Sequence, residues 1–317
     1  MPLAICTLFE ANYHHGVAAL CNSLYRNGYR GTVFAGFRGD LPHWASTAKP
    51  VLPMDSDNKI VKVFNAAEGL DIYFIELKIS SHLAHHKPGF MLELMEGLAK
   101  DFDGIVYFDP DIVVKCNWIF LDRWVQNGVA IVQEINGNIM PVNHPTRFLW
   151  AEVIKVAGDK ITNQVQYYYN CGFCGVTKNN GDFLKLWGKF ISVAINKFDQ
   201  NPFVLANHDK SSFFWSIDQD TFNMTVMCTG CTVCDMGPEA MDFIHGGFTM
   251  SHAVGGPKPW AKSFLISALK GMPPSSPEKA FWNNVGLPIS TLGVSLVNYK
   301  NISIKIASFV GRFYRKY

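Results

Sequence analysis

The 317-residue chain is 48% hydrophobic and 17% charged, with 26 glycines and 16 prolines, which excludes a disordered chain, a collagen-like repeat and a coiled coil. Its formal net charge of +2 hides an asymmetry: six basic residues follow Glu278 (Lys279, Lys300, Lys305, Arg312, Arg315, Lys316) with no acid among them, leaving 22 basic against 26 acidic residues in the body. A slightly acidic body argues against general nucleic-acid binding, whose affinity comes from Lys and Arg on phosphates.

Apolar runs bounded by turn residues alternate with stretches of helical period, the pattern of an α/β domain. Residues 3–9 predict a buried first strand and 13–25 the helix after it. Strands are expected at 32–37, 60–64 and 71–77, and Pro88 opens a helix reaching Lys100. The sequence GIVYF at 104–108 is the clearest strand and runs straight into Asp109. Next come a strand at 129–133, an Asn/Pro-rich loop at 136–145, a helix to Val156, a strand at 167–176, and helices at 182–197 and 218–226. Three prolines, two serines and a glycine in KGMPPSSPEK interrupt any helix. The expected organisation is a catalytic domain at 1–268, a Pro/Ser-rich linker at 269–280 and an extension at 281–317. The start, MPLAICTLFEANY, lacks a basic leader followed by a long apolar stretch, and no segment holds about 18 unbroken apolar residues. A cytoplasmic protein is expected, with its eight cysteines as reduced thiols.

Asp109-Pro110-Asp111 places two carboxylates at the C-terminal end of a hydrophobic strand, the edge where open α/β sheets bind ligands. Such a pair can hold a divalent cation that takes the oxygens of a diphosphate. The same spacing occurs at Asp55/Asp57, Asp101/Asp103 and Asp218/Asp220; only the pair at Asp109 follows an uninterrupted strand. A second segment, His252-Ala-Val-Gly255-Gly-Pro-Lys258-Pro-Trp260, combines an imidazole, a glycine that lets backbone approach a ligand, and an ammonium that neutralises a leaving diphosphate.

That segment resembles the H-x-x-G-x-x-K-P-W signature of glycosyltransferase family 8, the retaining enzymes that include glycogenin and bacterial lipopolysaccharide galactosyl- and glucosyltransferases. The motif order also fits: Asn12-Tyr13 after the first strand, Asp-x-Asp, Asn170-x-Gly172, Asp218-Gln219, then the His-Lys segment. The resemblance covers residues 3–265 and implies a GT-A type nucleotide-sugar transferase, with a mostly parallel central sheet flanked by helices and a C-terminal helical extension. By the same resemblance Asp109, Asp111 and His252 look like ligands of Mn2+, with Mg2+ as the other option, and Lys258 and Gly255 like diphosphate contacts. Tyr13 would stack on the uracil of a UDP-hexose beside Asn12. Glu10 and Ala11 stand where the family carries two aspartates, and Glu10 would accept from the base. Lys87 occupies the position of a donor-holding arginine; Asn170, Gly172 and Asp218 would line the sugar, and Gln219 would lie near the anomeric carbon. An amide is a poor nucleophile, which favours front-face transfer to a glycan or lipid-linked glycan acceptor in cell-surface polysaccharide or lipopolysaccharide synthesis.

Other readings stand beside this one. Trp260 is expected to serve packing, and His82, His85 and His86 to be loop residues. Cys171-x-x-Cys174 and Cys228-x-x-Cys231-x-x-Cys234 have zinc-knuckle spacing, although residues i and i+3 of a strand face opposite sides. Residues 302–317 predict a basic amphipathic helix suited to an anionic membrane surface. A sugar-phosphate nucleotidyltransferase would also use an acidic pair, but it would want a glycine-rich phosphate loop that residues 9–16 do not supply. A degenerate transferase acting as a glycan-binding scaffold is the non-enzymatic alternative.

Overall fold

A computed structural model describes residues 2–51, 60–207 and 211–316; Asp55, Asp57 and Tyr317 lie outside the described residues. The chain runs β1 (Leu3–Glu10), α1 (His14–Arg26), β2 (Gly31–Arg38), β3 (Lys49–Val51), β4 (Val61–Ala67), β5 (Leu70–Glu76), α2 (Lys87–Glu96), β6 (Gly104–Phe108), β7 (Ile112–Val114), α3 (Trp118–Gln126) and β8 (Val129–Gln133). It continues through α4 (Pro145–Val156), β9 (Tyr169–Thr177), α5 (Gly181–Lys197), α6 (Ile217–Cys228), β10 (Val233–Met236), β11 (Met250–His252), α7 (Phe264–Leu269), α8 (Ser276–Asn283) and α9 (Val294–Val310).

Nine strands form one sheet in the order β10-β8-β9-β6-β1-β2-β5-β4-β3. The run β6-β1-β2-β5 is parallel, and across the whole sheet only β4 and β9 point the other way. This is the mostly parallel, helix-flanked sheet expected from the sequence. Period-two alternation sends each strand into two cores: Ala4, Cys6 and Leu8 of β1 join one, while Leu3, Ile5 and Phe9 join the other. Because the chain leaves β1 toward β2 on one side and returns to β6 on the other, a crevice opens beyond the carboxyl ends of β1 and β6. Glu10 and Asp109 stand at that edge.

Several elements differ from the sequence reading. Helix α2 stops at Glu96 because Gly97 takes φ −113° and ψ −106°, outside the helical region. The 269–280 segment is half helical: Ser275 and Glu278 form a reciprocal capping box and Pro277 sits in the first turn of α8, where its missing N–H costs nothing. The tail helix starts earlier and ends at Val310, so it does not run over 302–317. Gly311 lies against Pro273, and the Lys316 N–H donates to Gly271 O at 2.9 Å. Those contacts turn Phe313, Arg315 and Lys316 off the helix. Among the described residues, no helix is long and apolar enough to cross a membrane.

Candidate active site

The Asp-Pro-Asp turn is fixed from both sides. Asp109 N–H donates to Gly172 O on β9 at 2.7 Å, and Ile112 N–H closes the turn on Asp109 O at 3.0 Å. Helix α1 packs so closely that a Cβ at Gly16 would meet the Pro110 carbonyl. The short β7 then pairs antiparallel with β11, placing His252 opposite Ile112. The imidazole Nε2 lies 3.3 Å from Asp111 Oδ1 and 3.7 Å from Asp109 Oδ2, and one ligand atom from each of the three residues falls within 4.8 Å of the others. Among the described residues it is the only such grouping of His, Cys, Asp and Glu. The floor beneath it is Gly172, where a Cβ would sit 2.5 Å from His252 Cε1 and 2.8 Å from Asp109 Oδ2.

Two ammonium groups face these carboxylates. Lys258 Nζ is 2.5 Å from Asp111 Oδ2 and donates to Ala253 O at 3.0 Å. Lys87, 3% exposed, bridges Asp109 Oδ1 at 3.1 Å and Asp218 Oδ2 at 3.2 Å. Burial alone would raise the Asp111 carboxyl, but His252 and Lys258 more than offset it and hold the group well below the usual carboxylate range. Burial likewise opposes ionised Asp218, yet Lys87, Cys171 and His85 bring it down to about 2. Lys87 is kept charged against its own burial by Asp109 and Asp218.

These groups line one cavity of about 600 Å3, which holds Glu10, Tyr13, Lys87, Asp109, Asp111, Asn170, Asp218, Gln219, His252, Gly255 and Lys258. Gly255 there takes φ +74°, a conformation that glycine adopts without a Cβ penalty. Asn12 is exposed and outside the lining. Tyr13 stacks edge-on against Trp260 at 5.4 Å, under Lys258 at 5.8 Å, and Trp260 packs on Phe281, the packing role expected of it. Glu10 is engaged by Arg38, at 2.6 Å from Nη2. Gln219 is held from both ends: Oε1 accepts from Asn170 Nδ2 at 3.3 Å, and Nε2 donates to Glu134 Oε2 at 3.4 Å.

Sequence reasoning missed Glu134 and Arg38, and it gave other roles to Cys171, weighed as a zinc ligand, and His82, read as a loop residue, both of which line the cavity. Glu134 is buried, lines the cavity and accepts from Asn170 at 2.7 Å. Its signal was available, since it directly follows the apolar strand VAIVQ as Asp109 follows GIVYF. The buried Cys171 thiol donates to Asp218 Oδ2 at 3.1 Å, a use different from the zinc ligation its spacing allows. Asp109, Asp111, Glu134 and Asp218 against Lys87 and Lys258 leave an excess of negative charge in the cavity. A divalent cation balances that excess, so both the donor set and the charge fit one.

The sequence matches no protein-family model and no curated protein. Solved structures do resemble the chain. A bifunctional glycosyltransferase, WbbM, aligns with 95% of it at 13% identity and a TM-score of 0.53. The glycosyltransferase GlyE of Streptococcus pneumoniae aligns with 96% at 14% identity and 0.52. An active-site mutant of LgtC aligns with 92% at 15% identity and 0.53, and LgtC is a galactosyltransferase also crystallised with donor and acceptor sugar analogues. The chain spans 51% of the WbbM chain and 64% of the GlyE chain, but 98% of that LgtC chain. At such identities the likeness establishes architecture, and the chain has the GT-A glycosyltransferase fold.

Proposed function

We propose that the protein is a member of glycosyltransferase family 8, a metal-dependent retaining enzyme that moves a galactose or glucose from a UDP-sugar to a glycan hydroxyl. The observation that carries this reading is the Asp109, Asp111 and His252 cluster sharing one cavity with Lys258, Asp218 and Gln219. Asp109, Asp111 and His252 would hold Mn2+, or Mg2+, and the cation would supply positive charge to the diphosphate. Mixed oxygen and nitrogen donors favour manganese.

The chain's own residues do the rest. Lys258, beside Asp111, neutralises charge that builds on the leaving diphosphate. Tyr13 supports the base and Gly255 offers its backbone to a phosphate oxygen. Asp218, held ionised by Lys87, accepts from sugar hydroxyls. Gln219, fixed by Asn170 and Glu134, places its amide oxygen against the anomeric carbon. In the front-face step the acceptor oxygen bonds to that carbon as the bond to phosphate breaks, and the acceptor proton passes to the leaving phosphate oxygen.

The acceptor belongs to cell-surface polysaccharide or lipopolysaccharide synthesis on the cytoplasmic side. The C-terminal face would rest on anionic lipid: Ile302, Ile306, Phe309 and Phe313 are exposed beside Lys305, Arg312, Arg315 and Lys316. Cosedimentation with vesicles containing anionic lipid, lost for neutral vesicles and at high salt, checks that part.

The deciding experiment measures UDP release from a panel of UDP-hexoses with Mn2+ or EDTA. Turnover of one donor with the cation, abolished by EDTA and reduced by at least about 100-fold in Asp111→Asn, supports the transferase. UDP binding without turnover points to the glycan-binding scaffold, and metal-independent turnover refutes the assigned cation site.

A further inference from the structure

We propose that His82 selects the donor hexose: its Nε2–H donates to a sugar hydroxyl whose own hydrogen goes to Asp218, so that the two side chains together set which hexose the site takes. The assignment rests on the transferase reading and names a specificity-determining residue for it.

The backbone fixes which nitrogen of this ring carries the hydrogen. His82 is the N-cap of a short 3-10 turn at Leu83–His86, and the Ala84 N–H donates to its Nδ1 at 3.2 Å. An amide N–H only donates, so Nδ1 is the bare nitrogen and the neutral ring bears its hydrogen on Nε2. Protonation would set Nδ1–H against the Ala84 N–H. Burial first, then the neighbouring His85, also hold His82 below the ordinary histidine value. The ring is therefore a neutral donor near pH 7, and among the described residues no protein group takes up its Nε2–H.

The chain around His82 is tied down on several sides. Arg38 Nη1 donates to the carbonyls of Ile79, Ser80 and Ser81 at 3.3, 3.2 and 3.0 Å, while its Nε and Nη2 hold Glu10. His82 N–H donates to Pro202 O at 2.8 Å, and His85 Nε2 meets Val204 O at 3.1 Å. The half-buried ring is thus oriented before substrate arrives, which spares the cost of ordering it on binding. His82 lines the catalytic cavity with Glu10, Lys87 and Asp218, and it lies within electrostatic reach of both carboxylates. Ionised Asp218 only accepts, whereas a hydroxyl both donates and accepts, so one hydroxyl satisfies Asp218 and His82 together. A phosphate oxygen brings no hydrogen for Asp218 and is repelled by it. Glucose and galactose differ in the direction of a single hydroxyl, and a site built to hydrogen-bond a hydroxyl rejects a sugar that does not present it.

Two substitutions separate the roles of the two ring nitrogens. His82→Asn keeps an oxygen that caps Ala84 and removes the far donor, whereas His82→Gln puts an amide N–H near the Nε2 position and gives up the cap. The full chain with Mn2+ is assayed for UDP release from UDP-glucose and UDP-galactose, and calorimetry with UDP and with each UDP-hexose reads the same preference without turnover. The wild type should favour one hexose, and His82→Asn should lose roughly tenfold of that preference, about what one hydrogen bond provides. Its affinity for UDP itself should not change. His82→Gln should retain most of the preference. A residue that only capped the turn would give the reverse order, and that order overturns the assignment. So does a preference equal in wild type and His82→Asn, or a wild type that binds UDP but distinguishes neither hexose. A wild type that binds no UDP overturns the transferase reading and this assignment with it.

Discussion

Gly172 carries a stringent steric requirement in the site. Its neighbours Asn170 and Cys171 each spend side-chain atoms on holding Gln219 and Asp218, and Gly172 N–H itself donates to Asn170 Oδ1 at 2.8 Å. What Gly172 contributes beyond that is empty space, because His252 and Asp109 converge above its α-carbon. Gly172→Ala is expected to keep the fold while displacing His252 or Asp109 by several tenths of an ångström. Transfer should fall by about 100-fold, the scale of a small misplacement at a reacting centre, and Mn2+ affinity measured by calorimetry should weaken with it. Near-wild-type cation affinity in that variant would show that the three residues do not converge on a common ligand. Lys87 works by charge where Gly172 works by absence. A buried ammonium between Asp109 and Asp218 lets the buried Asp218 carboxylate stay ionised in a place where it alone would be costly.

At the scale of elements, α1 shows how a helix end can carry a pH dependence. Its first residues, His14 and His15, lie with tilted rings 4.0 Å apart, His14 meets the His43 ring, and His15 faces Trp260 and donates to or accepts from Thr291 Oγ1 at 2.9 Å. Burial first, then His14 and His43, push His15 down to about 4, and a helix N-terminus adds to the penalty on a cation. A depressed histidine favours the neutral form in the folded state. Its stabilisation is therefore full above the unfolded value near 6.5 and is lost as pH falls toward 4. For this half-buried ring the loss is expected to be about 1–2 kcal/mol after solvent screening. Urea unfolding at pH 7 and pH 4.5 should show that difference for the wild type and a smaller one for His15→Gln; equal differences would refute the assignment. The sequence made some elements easier to find than others for definable reasons. The buried β1, β6 and β8 announce themselves as largely apolar runs, and the acidic pair was legible because it ends one of them. By contrast β7 and β11 have three residues each, too short for any periodicity, and yet their pairing brings His252 to Asp111. The spacing of the His-Lys segment signalled His252, while the ladder that delivers it was invisible. Arg38 escaped notice because its partner Glu10 lies 28 residues away and meets it only through the β1-β2 register.

Across the whole molecule, the segment after Pro259 behaves as part of the site's foundation. Phe264, Ala268, Phe281, Trp282, Ile304 and Ala307 share a core with Ala19 of α1 and Val113 of β7. Trp282 Nε1 donates to Pro259 O at 3.2 Å, next to the Lys258 loop, while Phe281 supports Trp260, which in turn supports Tyr13. The contacts thus reach both Tyr13 and Lys258, the residues proposed to face the base and the diphosphate. Asn22 locks the arrangement: its buried amide donates to Asn284 O at 2.9 Å and Ile289 O at 2.8 Å and accepts from Ile289 N–H at 2.8 Å. Asn22→Ala would leave three backbone groups of residues 284–289 without these partners, and each unsatisfied buried group costs about 1–3 kcal/mol. With partial relaxation, a loss of roughly 2–4 kcal/mol is expected in urea unfolding, together with a higher KM for the donor because α1 and the Lys258 loop lose their common brace. Because one core spans both segments, tryptophan fluorescence and far-UV circular dichroism should still report a single coincident transition in wild type and variant. Two separated transitions, with donor affinity unchanged by Asn22→Ala, would show instead that the C-terminal segment is an independent unit and that the site stands without it.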